Sequence, residues 1–163
     1  MLHRIKENID TALPSSNSVA MYNLLKLSRL TGNPAFEDRA AKISRLMSSS
    51  VKGSELAFPM LLTALDFGLA PSQEVVIVGR ENTADTNNMI KTLRKRYFPN
   101  AVVLFKQAED QAPPINRYAN FIENMHAIDN KATAYVCTNF KCNFPTTDPA
   151  KMLDDLSNIS EKQ

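Results

Sequence analysis

Apolar positions change their period near residue 70, and the change divides the chain into two differently built halves. From Ser15 to about Ala70 the spacing is helical. Ser15, Ser16, Asn17 and Ser18 offer capping oxygens to a helix whose VAMYNLLKLSRL run is apolar around most of its circumference, the pattern of a helix buried between neighbours. Gly32 supplies a C-cap, and Asn33-Pro34 supplies the next N-cap and first-turn residue. Phe36, Ala40, Ile43 and Met47 then mark the inner face of a second helix, with Arg39, Lys42 and Arg45 on its wet side. After Gly53-Ser54, the residues Phe58, Leu61, Leu62, Leu65 and Leu69 predict a third helix, in which Pro59 either lies in the first turn or causes a kink.

Beyond Pro71 the apolar runs are short and β-branched. EVVIV (74–78), AVVLF (101–105) and ATAYVC (132–137) read as strands. Asp85 caps a helix carrying Met89, Ile90, Leu93 and Tyr97 in the first gap, and Ile115, Tyr118, Ile122 and Met125 share a helical face in the second. Both gaps are long enough for a crossover, so the pattern predicts a parallel βαβαβ layer. Asp148-Pro149 opens a last helix that buries Met152, Leu153 and Leu156. The expected fold is therefore α/β: three N-terminal helices (1–70), then a small three-stranded parallel layer closed by a C-terminal helix (71–163).

Composition narrows this only slightly. With 163 residues and 44% hydrophobic content the chain can bury a core of its own or form two small subdomains. Lys plus Arg exceed Asp plus Glu by only 19 to 17, so charge gives no argument for nucleic acid. No stretch has the length of a membrane span, and MLHRIKENIDTALP lacks the apolar centre of a signal peptide. A cytoplasmic setting is expected.

The chemistry-bearing candidates are few. Cys137 closes the third strand and Cys142 follows five residues later. The pair reads as a packed thiol beside a loop thiol, as a reversible dithiol, or as half of a metal site lacking its other ligands. The packed reading leads, and the dithiol draws support from placement beyond the carboxyl end of a parallel strand, where open sheets hold ligands, and from Lys141 beside Cys142. Asp10, Glu37, Asp38, Glu55 and Asp66 show no spacing that identifies a catalytic carboxylate pair. Lys91, Arg94, Lys95 and Arg96 complement the end of a helix, and Gly79-Arg80 lacks the further glycines of a phosphate loop. His3 and His126 stand alone. No cofactor and no complete metal site are expected.

Four blocks carry a family resemblance: PSSNSVAMYNLLKLSRLTG (14–32), LDFGLAPSQEVVIVG (65–79), LRKRYFPNAVVLFK (93–106) and DNKATAYVCTNFKCNFPTTDP (129–149). Together they resemble the C-terminal end of the large thioredoxin-domain proteins that include spermatogenesis-associated protein 20. That resemblance implies a thioredoxin-like domain outside these residues, followed by a helical domain like the (α/α)6 toroid of six-hairpin glycosidases and sugar epimerases. Residues 1–70 would hold its last helices and residues 71–163 an α/β appendage. The family usually has glycine where Ser16 and Asn130 stand here.

On this footing Ser16, Asn17 and Ser18 become candidate sugar contacts at a toroid mouth, against their plainer role as helix caps. The implied partners are the remainder of a parent protein, including its thioredoxin-like domain, and a carbohydrate. Neither nucleic acid nor membrane is expected, and self-association is open to the isolated chain. The leading expectation is an architectural fragment with any carbohydrate chemistry upstream. A thiol-exchange module built on Cys137 and Cys142 is its rival.

Overall fold

The computed structural model describes residues 9–109 and 113–160, with the side chains of 159 and 160 excepted, so His3 lies outside the described residues. The chain forms two units, one of residues up to Ser28 together with Asn33–Leu69, the other of Arg29–Gly32 together with residues from Ala70 onward.

The first unit is helical. α1 (Ser16–Thr31) buries Ser18, Met21, Leu25 and Ser28, a single stripe at three- and four-residue steps. Gly32 follows with φ +70°, a left-handed conformation that glycine adopts without steric cost. α2 (Pro34–Val51) starts as the sequence predicts: the Asn33 side chain accepts the Ala35 N–H at 3.0 Å, and Pro34 fills the first helical position. α3 (Pro59–Leu69) has Pro59 in its first turn, where a missing N–H costs nothing, and buries Leu61, Ala64 and Phe67. Leu62 and Leu69 of its expected stripe face outward instead.

The second unit is a sheet covered on both faces. β1 (Gln73–Gly79), α4 (Ala84–Leu93) and β2 (Ala101–Gln107) form a parallel βαβ unit, followed by β3 (Thr133–Thr138), β4 (Lys141–Cys142) and α5 (Pro149–Ser160). Strand order is β2-β1-β3-β4. β1 lies at the centre and is buried along its whole length, the physical reason its sequence is apolar without alternation. Val75, Ile77, Ala134 and Val136 pack with Met89 and Leu93 of α4 and Met152 and Leu156 of α5. Val76, Val78, Leu104 and Cys137 pack on the other face with Ala119, Ile122 and Met125.

The expected three-stranded parallel layer is not what forms. β3 runs antiparallel to β1, and the sheet is four-stranded and mixed. Lys106 and Thr133 both pair with Val78, so the chain leaves β2 and enters β3 at the same end of β1, passing across β1 without the return to the opposite end that a parallel β3 would need. Nor is the expected helix found among the described residues of segment 108–132. It makes two short 3₁₀ turns, Pro114–Arg117 and Asn120–Ile122, and Tyr118 is 72% exposed while Ile122 is fully buried.

Lys106 holds this segment to the sheet. Its buried Nζ donates to the carbonyls of Ile122, Glu123 and Met125 at 2.9, 2.7 and 2.9 Å, turning three backbone acceptors toward one cation. Desolvation pushes the ammonium pKa down, partly opposed by the charge of Glu123.

Candidate functional site

The two cysteines sit on a tight hairpin whose geometry follows from its turn. β3 and β4 are joined by Asn139 and Phe140, both left-handed at φ +49° and +62°. Two such residues form the turn that matches the right-handed twist of paired strands. Asparagine tolerates this conformation, whereas phenylalanine must be held in it.

Phe140 is held from two sides: its N–H donates to Glu74 Oε2 at 2.9 Å, and its ring meets Phe121 edge-on at 5.1 Å. Asn139 is anchored too. Its N–H donates to the Ser72 carbonyl at 3.1 Å, and its Oδ1 lies 3.2 Å from both the Ser72 N–H and hydroxyl.

Across this hairpin Cys137 and Cys142 face each other in register and are joined by a disulfide. The two sulfurs have unequal surroundings. Cys137 is fully buried, whereas Cys142 is exposed and borders an open groove of about 530 Å³ with Asn143, Phe144, Pro145, Lys151 and Asp155. An incoming thiolate would bond to the Cys142 sulfur and break its bond to Cys137, which would leave with the electron pair and take a proton. A second thiol on the incoming molecule would then displace Cys142, giving an oxidised partner and two protein thiols. Glu74, opposite Cys137 on β1, is fully buried, and its Oε1 has no hydrogen-bond partner among the described residues.

One premise for reading this pair as a ligand site falls away. β3 is antiparallel, so its carboxyl end lies beside the start of β1, not at the carboxyl ends of β1 and β2 where open sheets gather ligands.

The serine-rich turn of the first unit is a capping network. Ser15 and Ser18 are buried, their hydroxyls 2.8 Å apart, and Ser18 N–H donates to Ser15 Oγ at 3.2 Å. Asp10 lies beneath them: its Oδ1 accepts Ser15 N–H at 2.7 Å, and its Oδ2 accepts Met60 N–H at 2.9 Å and Leu61 N–H at 3.1 Å. One carboxylate thus caps the starts of both α1 and α3. Burial raises its pKa, but the bonds from Ser15, Ser18, Leu61 and Met60 outweigh that and hold it below the ordinary value. The Ser18 hydroxyl is spent inside this network, Ser16 faces solvent and Asn17 is half-buried.

The remaining candidates stay dispersed. Glu37, Asp38 and Asp66 are exposed, and Glu55 accepts the Gly53 N–H at 2.9 Å. Arg96 Nη1 donates to Ser157 Oγ at 2.9 Å, and Arg80 pairs with Glu109 at 2.7 Å. His126 is exposed. Among the described residues no group of three or more His, Cys, Asp or Glu could hold a metal ion, and no helix is long and apolar enough to cross a membrane. Glu74 and Lys106 escaped the sequence reading. Their signal was a charge bordering a β-branched apolar run, where burial in the strand demands a partner.

The chain is similar to spermatogenesis-associated protein 20 of Homo sapiens and of Rattus norvegicus, each 30% identical over 149 residues and 91% of this chain. It is also 23% identical, over 98% of its length, to an uncharacterized protein of Caenorhabditis elegans. It spans only about a fifth of these relatives, 19% of the two mammalian proteins and 21% of the nematode one. No protein-family model matches, and no solved structure does.

Proposed function

We propose, from its kinship with spermatogenesis-associated protein 20, that the chain is an architectural segment of a larger assembly. Residues 1–70 supply the last helices of a six-hairpin toroid, and residues 71–163 form an appendage that buttresses it. Carbohydrate chemistry and the thioredoxin-like domain belong to the portion upstream. The observation behind this reading is the small share of each relative that the chain spans, together with leucines left uncovered on the helical unit: Leu13 at 77%, Leu46 at 79% and Leu56 at 100% exposure. These side chains are apolar surface that a neighbouring element of the larger assembly would cover. Sedimentation and apolar-dye fluorescence of the isolated chain test it. Self-association or strong dye binding is expected, and a monodisperse monomer without dye binding overturns the reading.

A second reading rests on the unequal surroundings of the disulfide. Cys142 offers its sulfur to an open groove while Cys137 is buried as the leaving thiol, which supports thiol exchange with a dithiol partner. Alkylation and mass spectrometry across graded glutathione potentials check it. Reversible interconversion within the physiological range is expected, and a pair locked in either state across that range sinks it.

A further inference from the structure

The second unit has a topology of specific meaning. Its sheet order is β2-β1-β3-β4, with β1 and β2 parallel, β3 reversed, and β4 reversed again. α4 follows β1, α5 follows β4, and both pack on one face while the segment between β2 and β3 covers the other. Four strands in this order with only the third reversed, between two such layers, make up the minimal thioredoxin fold.

We infer that residues 70–160 form a thioredoxin-type fold in which hydroxyls stand at the dithiol position, in addition to the thioredoxin-like domain expected upstream. In redox-active versions of this fold, two cysteines separated by two residues occupy the start of the helix after β1, the first accessible and the second buried. Here that place reads Thr83-Ala84-Asp85-Thr86. Thr83 is the N-cap of α4 and half-buried, Thr86 is 2% exposed, and their Oγ1 atoms are 3.0 Å apart.

The spacing, the contact and the asymmetry of burial match a dithiol, but the sulfur is absent. A hydroxyl neither ionises near neutral pH nor couples oxidatively, so this position is silent in thiol exchange. The facing main chain is engaged as well. The main chain just before β3, which in this fold faces the dithiol and receives extended substrates, donates its Ala132 N–H to Asp85 Oδ2 at 2.7 Å.

The disulfide lies elsewhere. Cys137 pairs with Glu74 near the start of β1, whereas Thr83 follows Gly79 at its end, about 17 Å away along a strand. Thiol exchange by this chain therefore has no route through the usual position of the fold. It has to run through the β3–β4 hairpin.

The test restores sulfur in the full chain carrying Cys137→Ser and Cys142→Ser. Adding Thr83→Cys and Thr86→Cys should yield an intramolecular disulfide on treatment with oxidised glutathione. It should also raise dithiothreitol-dependent insulin reduction at least about 10-fold over the background chain. Thr83→Ser with Thr86→Ser should keep the circular dichroism spectrum and add no activity. A folded variant whose new cysteines never pair overturns the inference, as does insulin reduction by the background chain itself. Should the paired variant not fold, the single variants decide. The thiol of Thr83→Cys should be alkylated at least about 10-fold faster than that of Thr86→Cys in native protein, and equal rates overturn the inference.

Discussion

Glu74 accepts the backbone N–H of Phe140 at 2.9 Å, and through that bond a fully buried carboxyl holds a phenylalanine in a left-handed turn. The turn in turn sets the register that faces Cys137 with Cys142. Glu74→Ala removes the acceptor and leaves a buried gap, and should cost about 2–3 kcal/mol in urea unfolding. It should also speed reduction of the disulfide by dithiothreitol. Unchanged reduction kinetics would show that the hairpin keeps its shape without Glu74.

Asn139 is the other anchor of the hairpin tip. Asn139→Ala loses its side-chain bonds to Ser72 and places a less tolerant residue at φ +49°, for an expected loss of about 1–2 kcal/mol. Asn139→Gly keeps the conformation and loses only the side-chain bonds, so it should fall between alanine and wild type. Equilibrium denaturation of the three proteins gives the order.

Gly79 and Thr86 form a coupled pair at the end of β1. A Cβ added to Gly79 would collide with Thr86 Oγ1, so Gly79→Ala should destabilise by about 1–3 kcal/mol. Thr86→Ala removes the obstacle. The double variant should recover part of the loss, giving a non-additive cycle of at least about 0.5 kcal/mol by denaturant titration.

Lys106→Met keeps the apolar stem but leaves three carbonyls without their donor. A loss of about 3 kcal/mol is expected by chemical denaturation, with faster amide exchange across 113–127 than elsewhere in the sheet. An even loss of protection over the whole unit would count against a local clamp.

Acid should act through Asp10 and Asp85, whose pKa values are lowered in the fold, Asp85 to about 2, chiefly by the Ala132 N–H. A lowered carboxyl pKa contributes stability above the unfolded value, about 3.8 for both, and that stability is lost as pH falls toward the folded value. Midpoints should be flat near neutrality and decline below about pH 4. Asp10→Asn should be less stable at neutral pH and should shrink the pH 7 to pH 3 difference in urea midpoint.

Legibility in the sequence tracked how local the cause was. Asn33-Pro34, Gly32 and Asp148-Pro149 mark their helix ends correctly because caps and φ restrictions act within a few residues, and of the two places open to Pro59 the first turn is the one it takes. The strand at 132–137 was visible, but its direction was not, because a long gap accommodates either a crossover or a return. The return is held in part by Lys106 bonding carbonyls 16 to 19 residues away, a contact no periodicity records. The cysteines were legible as a pair but not as a cross-strand pair, since β4 is two residues long and Phe140 is an unusual occupant of its turn. Ser18, read as a sugar contact, faces inward because Asp10 and Ser15 claim its side.

Because Lys106, next to the end of β2, and Thr133, the first residue of β3, both lie against Val78, the intervening segment has its two ends on strands that flank β1, roughly 10 Å apart. Such a stretch is a cassette, seated by its core residues and one lysine rather than required for the chain to reach its next strand. It can lengthen, shorten or be exchanged without rethreading the sheet. Relatives should therefore differ most in length there, and a grafted replacement need only span that gap and cover Val76, Val78 and Leu104.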